Sequence, residues 1–274
     1  MAYLKMYGGR IVVRYDGKTI LPTDDIQTWL KCGGIKNKSY TTLSQVLADT
    51  TTLLALINNN NASDYLVRST TWASGITADS TAMTDIGANN YCAETLLADS
   101  TWRTAICNSA YFESVLNTKV PLMTSNTTPS GECFSNSVES NIYVAYKCFD
   151  GNLSLNDRWS SGKNVLAYIG YKFTGQIRLF KTQYLVRGSG SVDVGMDYTA
   201  VIEVSNDNTN WKTISSLSKL ASALAQWQNE NIYDADSWQY IRLRFTSYPY
   251  NNGSTPVLYY CGMNELQFYG RTDV

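Results

Sequence analysis

The sequence predicts a multidomain chain: a small N-terminal β/α anchor, a stem of short-helix (helix-turn-helix) repeats, and a C-terminal all-β sandwich. Three observations predict it. Residues 1–38 carry a hairpin signal followed by a helix cap, residues 39–118 carry a ten-residue period, and residues 119–274 carry short alternating apolar runs separated by turn clusters. A length of 274 residues also favours more than one unit.

Composition narrows the function classes. The chain has 22 Lys+Arg against 23 Asp+Glu, a formal charge of −1, and no basic run. Without the footprint needed for a phosphate backbone, nucleic acid is not an expected partner. There is no histidine, which removes the commonest general base, the serine and cysteine triads and the usual zinc ligand. Nothing else clusters as a nucleophile with its base, so no catalytic residue is expected and the chain reads as a non-enzyme. Cys32, Cys92, Cys107, Cys133, Cys148 and Cys261 form no C-x-x-C pair and read as small buried thiols. Charged residues are only 16% while Asn, Ser, Thr and Tyr abound, which suits a β-rich surface facing sugars or other proteins. No run approaches the roughly 18 apolar residues needed to span a bilayer. The N-terminus lacks a basic segment followed by a long apolar stretch, so completion in a cytoplasm without membrane insertion is expected.

The first element is a hairpin. Arg10-Ile-Val-Val-Arg-Tyr15 leads through Asp16-Gly17 into Lys18-Thr-Ile-Leu21, and Asp-Gly between β-type runs is a strong turn signal. Thr23-Asp24-Asp25 then caps a short helix, Asp25-Ile-Gln-Thr-Trp-Leu30, which Gly33-Gly34 ends. So small a region must dock on a partner or on a symmetry mate.

The second element is the period. Its first positions are Ser39, Asp49, Asn59, Ser69, Asp79, Asn89, Asp99 and Ser109, every one a preferred helix N-cap. Its eighth positions are Val46, Leu56, Leu66, Ile76, Ile86, Leu96, Ile106 and Leu116, all aliphatic. Thr42, Thr52, Ala62, Trp72, Ala82, Cys92, Trp102 and Phe112 stand four residues before them, on the same face of a short helix. Each decapeptide thus reads as a turn, a cap and about two helical turns. One long helix with a drifting stripe is the other reading, and the repeated caps argue against it. A stripe this narrow buries too little for a monomeric rod, so stripes of several chains are expected to meet along an axis, with the eighth-position residues as the core.

Asp79-Ser-Thr-Ala-Met-Thr-Asp-Ile86 resembles the decapeptide repeats, of the Ser-x-Thr-Ala-Met-x-x-Ile kind, of structural proteins in tailed bacteriophages. That resemblance implies a homotrimeric fibre stem in a virion, on the head or the tail. The N-terminal region would then attach to other virion proteins.

The third element follows a Pro, Ser and Thr-rich junction at 118–132. Tyr168-Ile-Gly-Tyr-Lys-Phe173, Ala200-Val-Ile-Glu-Val-Ser205, Tyr240-Ile-Arg-Leu-Arg-Phe245 and Glu265-Leu-Gln-Phe-Tyr269 alternate as strands. Only Ser215 to Gln228 reads as an inserted helix. Cys148-Phe149-Asp150-Gly151-Asn152 followed by Arg158-Trp159-Ser160-Ser161 resembles the F-D-G-N…W-x-S signature of discoidin (coagulation factor 5/8 type C) domains and family 32 carbohydrate-binding modules. Tyr168 to Phe173 is similar to their W-[IL]-G-[YVI]-D-F strand, with Tyr168 for Trp. Glu203-Val-Ser-Asn-Asp-Asn-Thr-Asn-Trp211 resembles their S-N-D-G-x-x-W hairpin, with Asn208 for Gly.

The resemblance implies a discoidin-like jelly-roll sandwich that binds a ligand. Trp159 and Trp211 are expected to pack rather than to touch it. The resemblance also implies a structural Ca²⁺, held by the Asp150 carboxylate, carbonyls near Lys147 and Asn152, the Asp157 side chain where the family usually has Thr, and Glu265. The other reading has Asp150 and Glu265 simply hydrogen-bonding loop amides. Family ligands bind at loops at one end of the sandwich, and here Tyr248, Tyr250, Asn251 and Asn252 are the candidates: tyrosine rings stack on a sugar while Asn side chains bond its hydroxyls. A purely structural hairpin is the alternative. The loop Arg187-Gly-Ser-Gly-Ser-Val-Asp193 belongs to the same end.

Three functions follow: a phage fibre whose tip adheres to host or mucosal glycans, a purely structural capsid or tail decoration protein, and a bacterial surface carbohydrate-binding protein.

Overall fold

The computed structural model describes residues 3–7, 10–15, 18–19, 24–154, 157–162, 165–186, 198–220, 227–247 and 260–272. Two compact units result, Met1–Asn117 and Thr118–Asp273. Among the described residues no helix is long and apolar enough to cross a membrane.

The first unit opens with an antiparallel sheet of β1 (Tyr3–Tyr7), β2 (Arg10–Tyr15) and β3 (Lys18–Thr19), with Tyr3 opposite Arg14 and Tyr15 opposite Lys18. The Asp16-Gly17 turn lies outside the described residues. Helix α1 (Ile26–Cys32) follows, capped by Asp25, whose carboxylate accepts from the Gln27 amide at 3.1 Å and from the Thr28 hydroxyl. Gly33 ends it and Gly34 takes φ +77°, the left-handed conformation that favours glycine.

The ten-residue period becomes roughly one helix per copy, not one long helix. The series is α2 (Leu43–Ala48), α3 (Thr50–Ile57), α4 (Asn60–Leu66), α5 (Ala73–Thr77) behind a 3-10 turn at Thr70–Trp72, α6 (Ser80–Ala88), α7 (Asn90–Ala98), α8 (Ser100–Asn108) and α9 (Phe112–Val115). Asp49, Asn59, Asp79, Asn89 and Asp99 cap as the sequence predicts, each accepting from an amide two or three residues on. Three positions depart from it, one of them Ser109, because Tyr111 and not Ser109 is the N-cap of α9. Thr42 rather than Ser39 caps α2, and Ser69 caps its 3-10 turn without a side-chain bond.

Helices also pack on the third one along: α1 on α4, α3 on α6, α4 on α7, α5 on α8 and α6 on α9. Three decapeptides therefore make one turn of a coil. Its successive turns are tied by Asn89 Nδ2 to Asn58 Oδ1 (3.0 Å) and Tyr91 hydroxyl to Asp64 Oδ1 (2.7 Å), 31 and 27 residues apart. At Gly87 a Cβ would lie 1.8 Å from the Ser114 carbonyl oxygen, so only glycine lets α6 and α9 approach this closely.

This closure corrects two expectations. Val46, Leu56, Leu66, Ile76, Ile86, Leu96, Ile106 and Leu116 are at most 1% exposed within one chain, so they are not free to form a seam between three chains. The buried face is wider than the predicted stripe because positions five and nine are buried as well, among them Leu53, Met83, Ala93, Ile57, Leu97 and Cys107. Such a face closes on itself. Nor does residue 38 mark an edge in the packing. Trp29 and Leu30 of α1 have no exposed surface, the Trp29 ring centroid is 5.4 Å from that of Trp72, and the Asp25 amide donates to the Tyr65 hydroxyl at 2.9 Å. Helix α1 begins the same coil.

The second unit has the strands β4 (Thr118–Lys119), β5 (Glu132–Ser135), β6 (Trp159–Ser160), β7 (Tyr168–Leu185), β8 (Tyr198–Ser205), β9 (Lys212–Leu220), β10 (Gln228–Asn231), β11 (Trp238–Phe245), β12 (Gly262–Met263) and β13 (Glu265–Thr272). The order is β4-β13-β7-β11-β8-β9, with β5 and β10 also on β7, and β6 pairs with β12. Strand β7 is shared: Tyr168 to Lys172 pair with β11, while Ile177 to Leu185 pair with β13. The core of this all-β sandwich includes Phe149, Trp159, Tyr171, Leu179, Phe245 and Phe268. Among the described residues of the span Ser215 to Gln228 the expected helix does not form, and Gln228 opens β10. Residues up to Leu220 continue β9 along β8, with Ile202 opposite Ser215 and Leu217 buried, and 221–226 lie outside the described residues. Ser215, Ser216 and Ser218 favour helix weakly, and the edge of β8 satisfies their backbone.

Candidate functional site

The signature residues fold the turn they were expected to fold. Phe149 is fully buried, with ring centroids 5.9 Å from Tyr171 and 6.3 Å from Phe268, and it anchors the turn to the core. Gly151 takes φ +73°, a conformation glycine adopts without penalty. Trp159 is packing, as expected: it has no exposed surface, stacks 6.2 Å from Phe245, and donates from Nε1 to the Ser137 carbonyl at 3.0 Å. Asn208, standing where the family pattern has Gly, takes φ +59°, and Asn is among the few other residues that visit this region routinely.

The turn brings three carboxyl groups together. Asp150 and Asp157 flank the Lys147 ammonium, with Nζ 3.2 Å from Asp150 Oδ2 and 2.8 Å from Asp157 Oδ1. The Asn152 amide nitrogen of the backbone donates to Asp150 Oδ1 at 2.9 Å, and its side-chain Nδ2 donates to Asp157 Oδ2. The Asn152 side-chain oxygen faces away and accepts from the Ser154 amide at 3.1 Å. Glu265, at the start of β13, is 2% exposed; the Gly151 amide bonds it, and Asp150 shares a hydrogen bond with it. Burial first, then the Asp150 charge, push the Glu265 carboxyl up to about 8, against the pull of the Gly151 amide. The hydrogen bond to Asp157 raises Lys147, outweighing the opposing effect of burial. Asn264, which the sequence analysis missed, pins the loop through Nδ2 to the Asp157 carbonyl at 3.1 Å. Its signal was a polar residue beside Glu265 at a strand start.

This arrangement does not fit the calcium ion that the resemblance implies. Ca²⁺ takes roughly six to eight oxygen ligands. Here Lys147 and Asn152 meet the carboxylates with N–H groups, and both Asp side chains are already engaged by those donors. Glu265 Oε1 is the one oxygen of the three carboxyls that is buried without a hydrogen-bond partner. Among the described residues, no group of three or more Cys, Asp or Glu side chains is spaced to hold a metal ion.

The other predicted site, Tyr248, Tyr250, Asn251 and Asn252, lies outside the described residues, as does 187–197. A second charged cluster was not anticipated. On β11 and β8, Arg242 and Arg244 each place Nη2 2.7 Å from Glu203, and the Arg242 guanidinium lies 3.7 Å from the Trp211 ring centroid. Alternate residues on paired strands share a face, so Glu203 and the two arginines were the signal. Trp211 packs, as expected.

Residues 127–260 match the F5/8 type C domain. Similar solved structures include chitosan-binding module 1 derived from a chitosanase/glucanase of Paenibacillus sp. IK-5, at 20% identity, covering 53% of this chain and 99% of that one with a TM-score of 0.38. CBM32-3 from a family 31 glycoside hydrolase of Clostridium perfringens is 21% identical, with 50% and 88% covered and a TM-score of 0.40. CpGH89CBM32-5 of Clostridium perfringens, solved in complex with GalNAc-β-1,3-galactose, is 16% identical, with 51% and 95% covered and a TM-score of 0.40. No curated protein matches the chain. The Asp150 cluster belongs to the F5/8 type C domain except for Glu265 and Asn264, which lie just beyond its matched residues.

Proposed function

We propose that the chain is a glycan-binding adhesion protein whose F5/8 type C domain contacts sugar and performs no chemistry on it. The observation that carries this reading is the carbohydrate-binding-module-like domain at residues 127–260. The run of Tyr248, Tyr250, Asn251 and Asn252 supplies the ring faces and amides that a sugar site uses. The chain has no histidine, and Lys147 ties the Asp150 and Asp157 carboxylates into the loop, an arrangement that suits a binding module better than acid–base chemistry.

The finer reading is a virion fibre, head or tail, with the N-terminal region on other virion proteins and the domain facing host or mucosal glycans. It rests on the decapeptide resemblance of residues 39–118. A bacterial surface carbohydrate-binding protein accounts for the same domain. In either setting several copies side by side would turn weak single sites into firm attachment. A homotrimer remains part of the fibre reading, with its contacts elsewhere than the stripe.

A glycan array probed with the full chain, including chitosan oligosaccharides and GalNAc-β-1,3-galactose, tests the proposal. Saturable binding with the glycan recovered intact by mass spectrometry supports it. Absence of binding leaves the structural decoration role, and a shortened glycan makes the chain an enzyme. Recovery of the protein in purified phage particles, rather than on a bacterial surface, decides between the two settings.

A further inference from the structure

We propose that Lys147 is the resident cation of the Asp150 turn, so that this domain holds its loop without calcium. The geometry is that of a cation site with the ion replaced by an ammonium. Nζ bridges Asp150 and Asp157 at 3.2 and 2.8 Å, and the Lys147 side chain is only 25% exposed. The two carboxylates come from opposite ends of the loop, 150 and 157, so one positive charge fastens both ends.

The neighbours agree with a lysine and disagree with an ion. Asn152 donates its backbone N–H to Asp150 and its side-chain Nδ2 to Asp157, so these carboxylates are met by N–H donors as well as by the ammonium, and its side-chain oxygen turns to the Ser154 amide. Asp157 adds a second negative charge that Lys147 balances. The fit is thus a pair: the extra carboxylate and the ammonium belong together. Calcium would have to displace Lys147 and reorient Asn152 before it met enough oxygens.

The test is thermal unfolding of the full chain in millimolar calcium and in EGTA, with calorimetric titration of calcium. The wild type is expected to melt at the same temperature in both and to give no binding heat. A bound calcium ion in excess over its dissociation constant would raise the midpoint by several degrees, and such a rise in the wild type overturns the proposal. Lys147→Met leaves the carboxylates without a cation and is expected to melt lower than the wild type in EGTA. A Lys147→Met chain as stable as the wild type in EGTA also overturns it. If Lys147→Met does not fold, the pair Lys147→Met with Asp157→Asn removes one charge of each sign. The proposal expects that chain to fold in EGTA, and folding only in calcium refutes it.

Discussion

Replacing Ile86 by alanine probes the coil at its centre. Ile86 has no exposed surface and lies on α6 beside Ala82, Met83 and Gly87, all buried, against α3, α5, α7 and α9. The change removes three carbons, worth about 0.8 kcal/mol each in transfer free energy, or about 2.4 kcal/mol. The cavity left between close-packed helices brings the total to about 3–4 kcal/mol, within the usual ~2–5 kcal/mol for such a truncation. Urea unfolding of the full chain, followed by the helical circular dichroism signal, measures it. The midpoint should fall at unchanged slope, by the same amount at every protein concentration, because the stripe is closed within one chain. A loss below about 1 kcal/mol, or one that disappears as the protein is concentrated, would place Ile86 in a seam between chains and overturn closure within one chain.

Other substitutions test separate contacts. Gly87→Ala improves helix propensity by about 1 kcal/mol, but its Cβ falls 1.8 Å from the Ser114 carbonyl oxygen; the melting temperature of the first unit should drop, and a rise would contradict the close approach. Asp99→Ala loses a carboxylate that accepts from the Thr101 and Trp102 amides at 2.9 and 3.1 Å, costing about 0.5–2 kcal/mol in chemical unfolding. Ser39→Ala, at the equivalent repeat position, should cost nothing measurable, because Thr42 caps α2. Burial alone would raise the Glu203 carboxyl, but Arg244 and Arg242 outweigh it and hold it below the ordinary range. The stability it contributes is therefore complete above the unfolded value, about 4.3, and lost as pH falls through the lower folded value. Glu203→Gln should melt lower than wild type at neutral pH and show a shallower acid limb, and parallel acid limbs would count against the ion pairs.

Local signals made much of this fold legible. Caps at Asp49, Asn59, Asp79, Asn89 and Asp99 lie where the side chains can reach their own amides, so chemistry within three residues predicts them. Closure into one chain was not legible, because it depends on contacts three helices apart. The extra buried positions carry residues as different as Ser63, Ala73, Thr77 and Gly87, which show no apolar pattern. The strand at Lys212–Leu220 was missed because a short serine-rich run has no decisive periodicity and takes its structure from β8. At the Asp150 turn, the sequence identified the acidic residues and missed what they bind. Motif correspondence put the Lys147 carbonyl forward, whereas the long side chain reaches back to the carboxylates, a choice that depends on Asp157 being present.

The proposed sugar contact falls on Tyr248 and Tyr250. Isothermal titration of the full chain with the strongest glycan from the array tests it most directly, alongside Tyr248→Ala and Tyr250→Ala. Saturable binding by the wild type is expected, with a loss of about tenfold or more, some 1.4 kcal/mol, in at least one variant whose melting temperature is unchanged. Affinity that survives both substitutions, or no glycan bound at all, would contradict it.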